Sequence, residues 1–187
     1  REREHRLGVT AEERTRGTEL LAAAGADPRR PVLGAFVGGT PLRPERQWAP
    51  PHYASVLQRA AKELGFQPVL LGGKADAPSM DQVIALGTTP IPKLVDLGFA
   101  DLKGVLAAMT FFITHDGEPM HVAAALGVPS YFVFLSTPPW RWAPYGAHVA
   151  VWEDDGRPPN PSEVWDRMKP LLDRARQERA GSGDGMA

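Results

Sequence analysis

The feature that most constrains the fold is a recurring alternation. Short, nearly continuous apolar runs end in glycine or polar turns and are followed by segments with helical spacing. "PVLGAFVGG", "QPVLLGG", "TFFITHDG" and "SYFVFL" are the clearest runs, with "KLVDLG" and an edge-like "AHVAVWED" as weaker ones. Strands that are apolar on both faces belong to parallel sheets, where helices cover each side. Strand, helix, strand, helix over most of the chain therefore predicts an α/β fold, a Rossmann-like doubly wound parallel sheet with flanking helices.

The helices carry their own punctuation. Thr10 stands three residues before Glu13, the spacing of a capping box, and Gly25 or Pro28 stops that helix. "PPHYASVLQRAAKELG" places Tyr53, Val56, Leu57, Ala60, Ala61 and Leu64 on one face, with Gly65 as its C-terminal stop. "APSMDQVIALG" and "ADLKGVLAAM" read as further helices, and "EPMHVAAALG" as one closed by Gly127. The last helix starts at Asn160, with Pro161 first and Glu163 third, and Pro170 kinks it or begins a second segment. The expected organisation is a linker and helix over 1–30, the sheet domain over 31–152, a C-terminal helix over 153–180 and a disordered tail over 181–187.

Charge and composition exclude several functions. Lys+Arg number 21 against Asp+Glu 22, so no basic excess exists for nucleic acid or an anionic membrane. The chain has no cysteine, which excludes disulfides, thiol nucleophiles and Cys-ligated zinc. The uncharged stretch from Met120 to Trp140 is broken by Gly127, Pro129, Pro138 and Pro139, and reads as helix, turn, strand and loop. The N-terminus, "REREHRLGVT", has no apolar signal region.

In a doubly wound sheet, ligands sit beyond the carboxyl ends of the strands. The loops there offer two glycines, Thr40, Arg43 and Arg46; then Lys74 and Asp76; then "HDGEPMH"; then Ser136, Thr137 and Arg141. Glycines, hydroxyls and guanidiniums at strand ends suit a phosphate or diphosphate, since a helix N-terminus presents free N–H groups and a favourable dipole. No GxGxxG or GxxxxGK[ST] fingerprint is present. His115, Asp116, Glu118 and His121 are of metal-ligand type, but strand end and helix need not converge on one ion, and a metal site is not favoured. For Asp116, capping the helix and shaping the loop is preferred to base catalysis. His121 serves either a phosphate or its own helix face. Trp140, Trp142 and Trp152 are read as core or interface residues.

The order of motifs says more than any one of them. "RQWAPPHYASVLQRAAKELGFQPVLLGG", then "DLKGVLAAMTFFITHDGEPMHVAAALGVPSYFVF", then "APYG" resembles the C-terminal half of glycosyltransferase family 9, the heptosyltransferases. The match runs from about Pro31 to Gly146. The resemblance implies the C-terminal domain of a GT-B fold, holding an ADP-activated sugar for transfer to a lipopolysaccharide-like acceptor. It implies Thr40, Arg46, Asp116, Gly117, Glu118, Pro119, Met120 and His121 around the donor diphosphate, and Gly73 and Asp76 near the nucleoside. No catalytic residue and no metal are carried over, and the nucleotide sugar is a co-substrate, not a cofactor. The expected partners are that donor, an N-terminal acceptor domain carrying the general base, and a peripheral membrane acceptor, with no nucleic acid. The implied location is cytoplasmic, at the inner face of the membrane. Two departures stand out: His115 where Asn is common, and Glu118 where Gly is usual. A carboxylate at a phosphate turn repels the ligand unless it points away, so the alternative is a non-catalytic family-9-like domain that has lost donor binding. The absence of GxGxxG argues against a third reading, a dinucleotide oxidoreductase. A metal hydrolase built on the His/Asp/Glu cluster is a fourth.

Overall fold

A computed structural model of the chain describes residues 6–27, 29–39, 43–144, 149–151 and 157–183. Six strands, β1 (Val32–Phe36), β2 (Gln67–Gly72), β3 (Lys93–Val95), β4 (Phe111–His115), β5 (Ser130–Val133) and β6 (Val149–Val151), form one sheet. The helices among the described residues are α1 (Ala11–Ala23), α2 (Pro50–Leu64), α3 (Ala77–Ala85), α4 (Phe99–Ala108), α5 (Glu118–Ala125), α6 (Pro139–Trp142) and α7 (Pro161–Gly183). The strand order is β3-β2-β1-β4-β5-β6, and every pairing is parallel. This is the doubly wound order, with the chain reversing direction across the sheet between β1 and β4.

Successive strand residues point to opposite faces, and the core divides accordingly. Leu33, Ala35, Leu70, Phe111 and Ile113 pack with α2, α3 and α7. Val32, Val69, Leu71 and Phe112 pack with α1, α4 and α5. Apolar strands covered on both sides account for the continuous hydrophobic runs in the sequence.

The predicted caps are present. Glu13 N–H donates to Thr10 Oγ1 at 3.1 Å, and Thr10 N–H donates back to Glu13 Oε2 at 3.0 Å. Gly65 and Gly127 stop α2 and α5 with φ of 71° and 70°, the left-handed region that favours glycine. Ser162 N–H donates to Asn160 Oδ1 at 2.8 Å, which caps α7. Helix α1 crosses α4 at Gly17 and Gly104, where a methyl group on either would lie about 2.1 Å from the other helix's backbone. Only residues without a side chain allow that approach.

Three expectations are corrected. Pro170 does not begin a second segment, since α7 runs as one helix with Pro170 inside it to Gly183, and the residues at 181–183 expected in a disordered tail are helical. Trp140 and Trp142 are not part of the core of this chain: they are 76% and 48% exposed, on a helix of only four residues. The buried tryptophans are Trp48 and Trp165. Trp152 lies outside the described residues. No helix among the described residues is long and apolar enough to cross a membrane.

Candidate functional site

At the reversal point, the chain leaves β1 toward α2 on one face and leaves β4 toward α5 on the other. The divergence opens a crevice at the carboxyl ends of the strands. A cavity of about 320 Å³ occupies it, lined by residues that include Gly39, Arg43, Arg46, Asp76, Asp116 and Glu118.

Its floor is laced together by hydrogen bonds. Asp76, in the turn after β2, accepts the N–H of Gly39 at 3.1 Å and of Gly73 at 2.8 Å. Gly38 permits this: a methyl group there would meet the Asp76 carboxylate at 2.0 Å. His115 closes β4 and is 2% exposed. Its N–H donates to Tyr53 Oη at 3.0 Å, and the same hydroxyl meets His115 Nδ1 at 2.9 Å. Burial pushes the imidazole pKa down to about 4, opposed by a hydrogen bond to the Gly38 carbonyl and by the charges of Asp116 and Asp76. His115 is thus neutral near pH 7. Tyr53, fully buried, has its phenol pKa raised by desolvation.

The walls carry the charge. Arg46 sits on a single 3-10 turn, Pro44–Arg46, with Nη1 3.8 Å from Asp116 Oδ2. Its Nε is buried and has no hydrogen-bond partner. The side chain is 34% exposed and lines the cavity, so the guanidinium is placed to meet an anion there. Asp116 also accepts a 2.5 Å hydrogen bond from Thr137 Oγ1. It does not cap α5, which corrects the capping part of the sequence reading, and it ties the loops after β4 and β5 together. The N-cap is Gly117, and no side chain bonds to the first turn. The helix start is left open to the cavity, with Pro119 at the second position supplying no N–H.

Glu118 lines the cavity and is exposed; it makes no cap. It does not occupy the open helix start. Gly117 is extended, with φ of 178°, and its missing side chain leaves the cavity wall clear.

The remaining predicted residues divide. Arg46, Asp76, Asp116, Gly117 and Glu118 share the cavity. Gly73 supports it through Asp76. Pro119 and Met120 are buried, and Met120 packs with Phe132 and Phe134, so their contribution is to seat the helix. His121 is exposed and is not among the cavity-lining residues. Thr40 lies outside the described residues. Among the described residues no three His, Asp or Glu side chains converge as metal ligands. Residues that the sequence reading left unassigned are Tyr53, Thr137 and the N–H of Gly39. Thr137 was visible as a hydroxyl in a strand-end loop. Tyr53 looked like one apolar position of α2.

Fold and crevice together define a Rossmann-like domain of the GT-B glycosyltransferase kind, with an anion-suited cleft at its switch point. The model of glycosyltransferase family 9 (heptosyltransferase) matches residues 2–169, and the chain belongs to that family. It is 30% identical over 113 residues to lipopolysaccharide heptosyltransferase 2 of Salmonella typhimurium, a match that covers 54% of this chain and 30% of that one. A family 9 glycosyltransferase from Veillonella parvula superposes with a TM-score of 0.79 at 20% identity, over 89% of this chain and 53% of that one. The E. coli ADP-heptose lps heptosyltransferase II superposes at 0.76 and 21%, over 90% and 54%. The chain thus spans about half the length of these solved relatives, and the aligned segment is under a third of the curated one.

Proposed function

We propose that this chain is the donor-binding part of a heptosyltransferase-like glycosyltransferase, holding the diphosphate of an ADP-activated sugar in the switch-point cavity. The observation that carries this reading is the partly exposed Arg46 side chain lining the same cavity as the uncapped start of α5. A cation and a helix N-terminus aimed at one space favour an anion there. During transfer, the bond from the sugar's anomeric carbon to the diphosphate oxygen breaks, and negative charge grows on the leaving phosphate. Arg46 and the backbone N–H groups at Gly117 and Glu118 stabilise that charge. The name of the E. coli structural relative supports ADP-heptose as the donor class, and that of the Salmonella relative supports a lipopolysaccharide acceptor.

The base that activates the acceptor hydroxyl comes from outside the described residues. Asp116 is engaged by Thr137 and Arg46, and Asp76 by two backbone N–H groups. We place the acceptor-binding half, and the general base with it, in a partner domain. No metal is assigned to the site, and the nucleotide sugar is the co-substrate. The acceptor would be membrane-peripheral and the enzyme cytoplasmic.

Calorimetric titration of ADP into the chain tests the proposal. Saturable binding in the micromolar to sub-millimolar range is expected. Absence of binding at millimolar ADP refutes it and favours a non-catalytic domain in which the Glu118 charge outweighs Arg46.

A further inference from the structure

The two loops that frame the cleft lie past the end of the ladder that joins their strands. The last paired residues of β1 and β4 are Phe36 and Thr114. Beyond them the chains head for opposite faces of the sheet, and nothing in the β pairing holds Gly38 beside His115.

We propose that Tyr53 and His115 form a positioning pair that sets the width of the cleft by joining α2, the end of β4 and the Gly38–Gly39 loop. The inference rests on the reading of the cleft as a diphosphate site.

Three observations support it. The Tyr53 hydroxyl is fully buried, yet it makes two hydrogen bonds to one residue, accepting the N–H of His115 and sharing a proton with Nδ1, with the Thr114 side chain also beside it. A phenylalanine would fill the same core space without burying a hydroxyl, so packing alone does not call for tyrosine. The imidazole then reaches the Gly38 carbonyl, which assigns the proton to Nε2 and leaves Nδ1 as the acceptor. Finally, the next residue of each loop enters the cavity: Gly39 on one side, Asp116 and Gly117 on the other. Displacing His115 therefore moves the opposing walls relative to each other. Buried and desolvated, these bonds are stiff, and losing one partner strands the other. His115 lines the cavity and Tyr53 does not, so Tyr53 acts through His115 and the backbone beside it.

The test is Tyr53→Phe in the full chain, read three ways. ADP affinity should fall about tenfold, the scale of one lost buried hydrogen bond. Amide exchange should speed up at Gly38, Gly39 and Gly117 while the β5 amides keep their relative protection. The nitrogen spectrum of His115 should lose a single Nε2–H tautomer signature. ADP affinity within twofold of wild type, with unchanged exchange at the three glycines, overturns the proposal. If the wild type fails to bind ADP, the proposed function falls, and the glycine exchange rates alone judge the pair: selective acceleration supports it and no change overturns it. Should Tyr53→Phe not fold, the wild-type spectrum decides: an Nδ1–H tautomer at neutral pH refutes the pairing, and an Nε2–H tautomer upholds it.

Discussion

Acidification from pH 7 to pH 4 should cost this protein about 3 kcal/mol through His115 alone. The folded imidazole titrates near 4, against an ordinary value of 6.5, because it is buried among Tyr53 and the Gly38 backbone. The depressed value means that the folded state resists a proton that the unfolded chain accepts. Above pH 6.5 both states are neutral and the stabilisation is complete. Between 6.5 and 4 the unfolded chain binds more protons, so stability falls as pH falls. At pH 4 the unfolded histidine is essentially all charged and the folded one half charged. The difference is about 2.2 powers of ten, or about 3 kcal/mol at 1.36 kcal/mol per unit. Asp116 and Asp76 favour the charged form and are already part of that folded value. Other groups titrate nearby: His52 is lowered by its own partial burial, and Glu13 by Lys103 and Thr10. The measurement is therefore a difference. Urea unfolding of wild type and His115→Asn is followed at pH 7, 5.5 and 4. The variant starts less stable, but its decline on acidification should be shallower by about 3 kcal/mol. Parallel declines would refute the buried neutral histidine and, with it, the assigned tautomer.

Three further outcomes are expected. Gly104→Ala places a methyl group 2.1 Å from the Glu13 carbonyl oxygen, and because backbone cannot swing aside, α1 must shift. The net cost should be about 1–3 kcal/mol despite alanine's better helix propensity, read as a lower thermal midpoint. Arg46→Ala should weaken ADP binding roughly tenfold to a hundredfold, with Arg46→Lys in between, and circular dichroism should stay unchanged because the residue sits on a single 3-10 turn outside the sheet and the long helices. Equal affinity in all three chains would remove Arg46 from the site. Glu118→Gly should tighten ADP binding by at most about fivefold, since an exposed carboxylate is screened and does not occupy the helix start. Tightening beyond about fiftyfold would mean that the carboxylate occupies the anion position in solution.

The fold was legible because its rules are local. Each strand announces itself by apolar continuity, each helix by spacing and caps, and the Thr10–Glu13 box and the glycine stops are readable from neighbours a few residues apart. The misreadings concern residues whose environment is set at long range. Trp140 and Trp142 are large and apolar, but a helix of four residues leaves both substantially exposed. Pro170 sits inside α7 because the helix is held by its packing on α2 through Trp165, Met168 and Leu172, not by local propensity.

The same division runs through the site. Arg46 and the turn at Asp116–Glu118 stood out because charge and glycine at strand ends are sequence signals. The roles of the side chains did not. Asp116 sits one residue before the N-cap, which invites a capping role, yet Thr137, 21 residues later, takes its carboxylate at the end of the next strand. Asp76 has the type of a ribose ligand, and two backbone N–H groups from separate loops also hold its oxygens, a bracing role the sequence did not show. Tyr53 lies 62 residues before His115, and nothing local to α2 distinguishes its hydroxyl from a ring that merely packs. The pattern has a physical consequence for Glu118. Every other acid around the cleft is held by a donor from another loop, which neutralises or anchors it. Glu118, exposed and lining the cavity without capping the helix, acts on whatever enters through field and not through contact. Its influence on ADP should therefore fade as ionic strength shortens the screening length, while that of Arg46, delivered through direct donors, should persist. Titrations of Glu118→Gly and Arg46→Ala at about 0.05 M and 0.5 M salt separate the two: a Glu118 effect that survives high salt would contradict this account.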